Sequence, residues 1–139
     1  GGLVRVLESM PKDYPSYGRY VEVYKEMAAK VITLQQADGF WRPSLLDPES
    51  FPGGEASGTG FFCYALAWGI NNGVLDKKTY LPVVEKSWNT LVSSVHPSGK
   101  LGWVQAIGAD PRKTAYDDTE VYGVGAFLLA GSEIIKLKK

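Results

Sequence analysis

Hydrophobic positions recur with helical spacing in two segments of the chain. From about Ser16 to Gln36, apolar side chains are separated by three or four residues, and charged side chains fall between them. The segment Thr79 to Val92 repeats this arrangement, with Pro82 tolerated in its first turn. Such spacing predicts two amphipathic helices, each with one buried face. The predicted buried positions are Tyr20, Tyr24, Met27, Val31 and Leu34 in the first helix and Tyr80, Val84, Trp88 and Leu91 in the second.

Two other segments are apolar on every side. Gly58 to Asn72 and Thr119 to Ile135 alternate small residues with large apolar ones, and neither has a continuous polar stripe. A helix that is hydrophobic all round is normally buried on all sides. We therefore predict two inner helices from these segments. The single Cys63 lies in the middle of the first and is predicted to be an inert core thiol.

The ends of the helices are predicted from breakers and capping residues. Asp38-Gly39 is the expected stop of the first amphipathic helix. Ser57 is the expected cap of the first apolar helix, and Asp117 or Asp118 that of the second, with Glu120 in its first turn. Residues 3–10 have the pattern of a further short helix ending before a proline, and residues 101–106 are consistent with a short strand.

The four helical segments form an internal repeat. Gly39-Phe40-Trp41 and Leu101-Gly102-Trp103 each follow an amphipathic helix and precede a polar loop that leads into an apolar helix, and the two Trp residues are 62 positions apart. Repeats of this length, alternating amphipathic and buried helices, predict an all-α fold of inner and outer helical hairpins. About two and a quarter such units cannot close a ring. We therefore expect residues 1–139 to be part of a larger toroid domain that self-associates when isolated, since its inner helices would expose apolar surface.

Charge and composition exclude several classes of function. Fifteen Lys and Arg balance fifteen Asp and Glu, so no broad positive surface is expected for nucleic acid or an anionic membrane. The longest strongly apolar run, residues 61–70, falls short of the roughly 20 residues that a membrane-spanning helix needs. One Cys and one His cannot form an internal disulfide or a Cys/His zinc site. Neither a metal nor a nucleic-acid or membrane partner is therefore predicted.

Two polar loops carry the candidate chemistry. Each leads to the N-terminus of an inner helix, where free backbone N–H groups and the helix dipole favour anionic ligands. Aromatic, carboxylate and guanidinium side chains in such loops suit the binding of an acidic sugar. The predicted substrate-binding residues are Trp41, Arg42, Glu55, Ser57 and Thr59, and the second loop offers Trp103, Gln105, Asp110, Arg112, Tyr116, Asp117, Asp118 and Glu120. Simple helix capping by the carboxylates, a structural salt bridge at Arg42, and Trp residues that only seal the ring remain open alternatives.

A set of motifs spread over the whole chain resembles one enzyme family. These are Gly2-Leu3-Val4-Arg5-Val6-Leu7-Glu8 with Met10-Pro11, Leu34-Gln35-Gln36 with Asp38-Gly39 and Trp41-Arg42, Leu45-Leu46-Asp47-Pro48, Gly54-Glu55 with Ser57-Gly58-Thr59-Gly60-Phe61, the segment from Tyr64 to Asp76, and Gly123 with Gly125-Ala126-Phe127-Leu128-Leu129-Ala130. No single motif is specific, but the combination is. It resembles the C-terminal part of unsaturated rhamnogalacturonyl hydrolases, within the broader unsaturated glucuronyl hydrolase group.

The resemblance implies an (α/α)6 barrel and a particular hydrolysis. Enzymes of this family remove the 4,5-unsaturated uronic acid from the non-reducing end of oligosaccharides from pectin and related polysaccharides. An Asp protonates the C4=C5 vinyl ether and directs water to C5, and no metal or organic cofactor is required. The family's catalytic Asp residues correspond to positions upstream of Gly1, so no catalytic residue is assigned here, and these 139 residues alone are expected to be inactive.

Other classes of function are also compatible with the residues. The chain could be a non-catalytic helical-hairpin module that binds oligosaccharide through Trp41 and Trp103. It could also be a purely structural segment ordered by self-association. Catalytic Asp residues in an adjoining part of the same protein would favour the hydrolase.

Overall fold

Five helices make up the fold of the described residues in a computed structural model, which covers residues 1–108 and 110–137. These are α1 (Gly2–Ser9), α2 (Tyr17–Ile32), α3 (Ala56–Asn71), α4 (Lys77–Ser93) and α5 (Val121–Leu137). Within the described ranges there is no strand, so the predicted all-α class is confirmed and each predicted helix exists. None of the helices in those ranges is both long and apolar enough to cross a bilayer.

The inner layer is built on α3 and α5, which run parallel. Near their first turns Gly60 approaches Ala126 so closely that a Cβ on the glycine would lie 3.0 Å from the Ala126 carbonyl carbon. Near their last turns the Asn71 side-chain amide donates to the buried carboxylate of Glu133 at 2.8 Å. Small residues therefore allow the two helices to lie side by side along their whole length. Helix α4 returns antiparallel behind them, as an outer helix does.

Helix α3 is buried as the sequence predicted, but α5 is not. Eleven of the sixteen residues of α3 are buried, including Cys63, Tyr64 and Trp68. On α5 a stripe of apolar side chains is solvent-exposed: Val121 is 87% exposed and Leu128 63%. Nothing in the described residues packs on that side of α5, so the helix is not buried all round, and its exposed stripe agrees with the apolar surface expected for an inner helix of an incomplete toroid.

The interface between α2 and α3 is closed by aromatic side chains. The rings of Tyr24 and Trp68 meet edge to face with centroids 5.6 Å apart, and the Tyr24 hydroxyl donates to the Ala65 carbonyl oxygen at 2.7 Å. Burial raises the pKa of Tyr24 well above its usual value. Because Gly69 has no side chain, this hydroxyl and Leu75 occupy the space beside its backbone. The outer helix is thus anchored to the inner one by a buried polar contact within an apolar core.

Cys63 is an inert core thiol, as predicted. Its side chain has no solvent exposure, and its sulfur lies 3.8 Å from the Val84 carbonyl oxygen of α4. Burial raises the pKa of the thiol to about 11, so the reactive thiolate is scarce at neutral pH.

Several predicted boundaries differ from the structure. Helix α2 ends at Ile32 rather than at Asp38-Gly39, because the chain turns back and the Gln36 amide N donates to the Phe40 carbonyl oxygen. The expected strand at residues 101–106 is a single bridge between Val95 and Leu101. The backbone hydrogen bonds of this segment are made to irregular segments, for example from the Val104 amide to the Asp118 carbonyl oxygen. No β-ladder therefore forms.

The predicted caps of the inner helices are also wrong. Glu55 caps α3, not Ser57. Helix α5 begins at Val121 with no acidic residue in its first turn, so Glu120 precedes the helix. The Asp118 carboxylate instead accepts a hydrogen bond from the Ala115 amide and stabilises the turn before the helix.

Candidate functional site

Two long loops meet at the N-terminal ends of the inner helices. Residues 33–55 connect α2 to α3, and residues 94–120 connect α4 to α5. The loops contact each other through the backbone, since the Ala56 amide donates to the Trp103 carbonyl oxygen at 2.7 Å. The two equivalent parts of the sequence repeat therefore form one continuous surface. We call this end of the fold, residues 33–59 and 94–122, the mouth.

Glu55 organises the start of α3. One carboxylate oxygen accepts from the Ser57 amide at 3.1 Å and the Ser57 hydroxyl at 2.7 Å, and the other accepts from the Gly58 amide at 2.6 Å. The side chain is only 7% exposed. A Cβ at position 58 would lie 2.8 Å from the Glu55 carboxylate, which explains why residue 58 is a glycine. A carboxylate at this position also complements the positive end of the helix dipole.

Trp41 and Thr59 join the mouth to the core. Both are essentially without solvent exposure. The Trp41 amide donates to the Thr59 hydroxyl oxygen at 3.1 Å, and the Trp41 indole N–H donates to the Val31 carbonyl oxygen at 2.8 Å. The indole also packs against Phe62, with ring centroids 5.2 Å apart. Both side chains therefore lie beneath the mouth surface rather than on it.

Arg42 is held in the first loop by an ion pair. Its guanidinium makes two hydrogen bonds to the Asp38 carboxylate, at 2.7 and 3.3 Å, in the bidentate geometry that suits this pair. The Arg42 side chain is 15% exposed and that of Asp38 48% exposed. The structural salt bridge left open by the sequence is thus formed in this structure.

Trp103 is the main irregularity of the second loop. It has a backbone φ of 58°, a left-handed conformation that bulky residues rarely adopt. Its ring lies between Phe40, at 6.4 Å between centroids, and Tyr116, at 5.9 Å. Glycine at position 54 is required there, because a Cβ would lie 2.9 Å from the indole. Contacts from both loops therefore hold this strained residue in place.

Tyr116 and His96 stack beside Trp103. Their rings are nearly parallel at 8°, with centroids 3.7 Å apart, and the His96 Nε2 lies 2.8 Å from the Tyr116 carbonyl oxygen. Gly102 is required here because any side chain would overlap that carbonyl. Sequence reasoning treated His96 only as a loop residue; its aromatic partner is twenty positions away, and no local pattern indicates the stack.

Tyr122 connects the two loops and was not predicted as part of the site. Its hydroxyl donates to the Gln105 carbonyl oxygen and lies close to the Ser57 hydroxyl. Burial, the largest contribution, raises the pKa of Tyr122. In the sequence this tyrosine belongs to an apolar helix, so no local pattern marks it as part of the mouth. Only the structure shows that the first turn of α5 directs its side chain toward the two loops.

Most polar side chains of the mouth are engaged by other groups of the chain. Glu55 and Asp118 are both occupied by backbone amides, and Asp117 pairs with Lys100 at 3.2 Å. In residues 1–108 and 110–137 no group of three or more His, Cys, Asp or Glu side chains is arranged to hold a metal ion. Aromatic rings, hydroxyls and carbonyl oxygens dominate instead, which are the groups that line small-molecule sites.

Comparison with known proteins identifies the family. Inner and outer helical hairpins with a polar mouth at the N-terminal ends of the inner helices define an α/α toroid. The model of Glycosyl Hydrolase Family 88 matches residues 1–138, and the chain belongs to this family. A solved glycosyl hydrolase family 88 structure from Bacteroides vulgatus superposes with a TM-score of 0.92 at 37% identity, covering 96% of this chain and 40% of that one. The chain is accordingly a fragment of an (α/α)6 barrel, as predicted.

Two other relatives bear on function. The chain is 48% identical over all its 139 residues to an unsaturated 3S-rhamnoglycuronyl hydrolase from Formosa agariphila, of which it spans 37%. It is also 42% identical to a solved structure named as a polysaccharide lyase, with a TM-score of 0.92 over 99% of this chain and 40% of that one. The chain therefore spans less than half the length of the relatives it matches.

Proposed function

We propose that this chain is the C-terminal part of the catalytic domain of a glycoside hydrolase that removes a 4,5-unsaturated uronic acid from rhamnose-containing oligosaccharides. The observation that carries the proposal is the 48% identity, over the whole chain, to a hydrolase named for such a substrate. The neutral net charge and the aromatic mouth are compatible with a sugar ligand. Rhamnogalacturonan fragments of pectin and rhamnoglycuronyl oligosaccharides share the uronyl–rhamnose unit that the proposal requires.

In this proposal the reaction is hydration of a vinyl ether. A carboxylic acid protonates the C4=C5 double bond, water adds at C5, and the resulting hemiketal opens and releases the sugar. Glu55 and Asp118 are held by backbone amides in this chain, and we place the proton donor in the remainder of the protein. The chain would supply a wall of the substrate site.

That wall is proposed to include Trp41, Arg42, Glu55, Ser57 and Thr59. Their common position at the entrance to α3 supports this. Each has a protein partner, so we propose that they fix the shape of the wall. Trp41 and Thr59 would act from beneath it, and Arg42 through its ion pair with Asp38.

A hybrid enzyme tests the proposal. In the Formosa agariphila relative, the matching segment is replaced by this chain. We expect the hybrid to consume the unsaturated 3S-rhamnoglycuronyl disaccharide for which that relative is named, with loss of the ultraviolet absorbance of the C4=C5 bond. The unmodified relative is the positive control, and the isolated 139 residues are expected to give no turnover.

The same measurement separates hydrolase from lyase chemistry. A lyase creates the unsaturated bond, so absorbance would rise on a saturated uronic-acid polysaccharide and stay constant on the disaccharide. That result, or a folded hybrid inactive on both substrates, would contradict the proposed function.

Self-association of the isolated chain is a separate prediction. Val121, Leu128 and Ile135 are spaced at seven residues on α5 and expose 87, 63 and 62% of their surfaces. Apolar side chains on one helical face favour association in water. We expect light scattering to show a dimer or larger species, and Leu128→Asp to shift it toward the monomer. A monomer at every concentration would contradict this expectation.

A further inference from the structure

We propose that Tyr122 is a positioning residue of the substrate site, whose hydroxyl holds residues 103–105 across the starts of both inner helices. We call these three residues the bridge. The proposal rests on the proposed function, because the bridge would shape the wall of the substrate site at the start of α3. It adds a residue of α5 that lies outside the set predicted from the sequence.

The backbone of the bridge is hydrogen-bonded to the starts of two different helices. The Trp103 carbonyl oxygen accepts from the amide of Ala56, the first residue of α3, at 2.7 Å. The next residue, Val104, donates its amide to the Asp118 carbonyl oxygen at 3.0 Å, in the turn that precedes α5. The bridge therefore spans the N-terminal ends of α3 and α5.

The third residue of the bridge is held by the Tyr122 side chain. The Tyr122 hydroxyl donates to the Gln105 carbonyl oxygen. A carbonyl oxygen can only accept, so the phenol must supply the hydrogen. Burial raises the pKa of Tyr122, and the charges of Glu55 and Glu120 act in the same direction. The hydroxyl therefore stays protonated and remains a donor at neutral pH.

Packing against the same turn of α5 supports the bridge. Val104 has no solvent exposure, and a Cβ at Gly123 would lie 2.6 Å from its side chain. Because Tyr122 and Gly123 are consecutive, one turn of α5 contacts the bridge through a hydrogen bond and through close packing. Trp103 has a backbone φ of 58°, and such a conformation persists only where the surroundings fix it firmly. The Tyr122 hydroxyl is one of these constraints.

The bridge is connected directly to the proposed wall. Ala56, which donates to the Trp103 carbonyl oxygen, lies between Glu55 and Ser57, whose side chains are joined by a hydrogen bond of 2.7 Å. A shift of the bridge would therefore move the start of α3 and both of these side chains. Tyr122 would act on the substrate through this connection. Loss of its hydroxyl should weaken substrate binding more than it slows the chemical step.

Tyr122→Phe removes only the hydroxyl and tests this role. In the hybrid enzyme we expect KM for the unsaturated disaccharide to rise about fivefold, with kcat within about twofold, because one hydrogen bond that shapes the site is lost. Tyr24→Phe is the matched control, since it also removes a tyrosine hydroxyl that donates to a carbonyl oxygen, but within the core between α2 and α3. It should lower Tm and leave KM unchanged.

Hydrogen exchange followed by mass spectrometry measures whether the bridge is held. The amides of residues 56–58 and 104 are bonded to the bridge, to the cap of α3 or to the turn before α5. In Tyr122→Phe we expect them to exchange about tenfold faster than in the unsubstituted hybrid. Exchange at these positions should not change in Tyr24→Phe.

Four results would overturn the inference. Unchanged KM in Tyr122→Phe would show that the hydroxyl does not shape the site. A raised KM with unchanged exchange would indicate direct contact with the substrate, and a large fall in kcat would place the hydroxyl at the reacting atoms. The same KM change in Tyr24→Phe would indicate a general loss of stability. Failure of the proposed function would differ, since the unsubstituted hybrid would then lack turnover, while exchange would still decide whether Tyr122 holds the bridge.

Discussion

Gly69→Ala is expected to destabilise the hybrid enzyme by about 3 kcal/mol, because the space that a methyl group would need at this position is already filled. It would overlap the Tyr24 hydroxyl and lie 2.6 Å from the Leu75 side chain. Both neighbours are buried, and Tyr24 is held by its hydrogen bond to the Ala65 carbonyl oxygen. Relief would require α2 to move away from α3 or the hydrogen bond to break. We expect a fall in Tm of several degrees and a lower urea midpoint.

Gly18→Ala is the matched control for this prediction. Gly18 is also helical, but a Cβ there would meet nothing within 4 Å. Alanine has the better helix propensity, so this variant should be unchanged or more stable by about 0.5–1 kcal/mol. If Gly69→Ala were as stable as Gly18→Ala, the close approach of the Tyr24 hydroxyl and Leu75 to Gly69 would be incorrect.

Glu55→Gln is expected to cost about 2 kcal/mol despite being nearly isosteric. The two carboxylate oxygens accept three hydrogen bonds at the start of α3, and both must be acceptors. An amide presents one NH2 group, which would face the Gly58 amide or the Ser57 donors. The cap would open and the junction between Ala56 and Trp103 would loosen. Glu55→Ala should be at least as destabilising, since it removes every acceptor.

Kinetics separate this positioning role of Glu55 from a catalytic one. If Glu55 only shapes the mouth, KM for the unsaturated disaccharide should rise several-fold with a smaller change in kcat, in step with the lost stability. Glu49→Gln, in the same loop and solvent-exposed, should change neither. A large fall in kcat with unchanged Tm would contradict the positioning role and place Glu55 at the reacting atoms.

Helix capping shows where local sequence reasoning is insufficient. Ser57 is the better cap by residue preference, and Glu55 is an unusual one. The glutamate caps α3 because the Ala56 amide is taken by the Trp103 carbonyl oxygen, which starts the helix two residues earlier than the pattern indicates. That carbonyl comes from a loop 47 positions downstream. Position 55 therefore becomes a cap through tertiary contact.

The sequence predicted where the two loops lie but not which of their side chains are buried. From the repeat we predicted that both loops lie at the N-terminal ends of the inner helices. This is correct, because α3 and α5 are parallel and their N-termini lie at the same end of the fold. Residue type could not show that Trp41 is buried and that Trp103 lies between the loops. Both follow a glycine-containing segment after an outer helix. They differ in what packs over them, namely Phe62 for one and Tyr116 for the other.

The sequence by itself determined the helical class, the alternation of amphipathic and apolar helices, and the membership of an unsaturated uronyl hydrolase-like family, because these depend on periodicity and on motifs read locally. The tertiary structure decided which polar side chains are engaged and which remain exposed. Arg42 is paired with Asp38, Glu55 is occupied by the first turn of α3, and the contact between Trp103 and Tyr116 joins residues thirteen positions apart. These outcomes depend on contacts between segments far apart in the chain, for which hydrophobic periodicity carries no information.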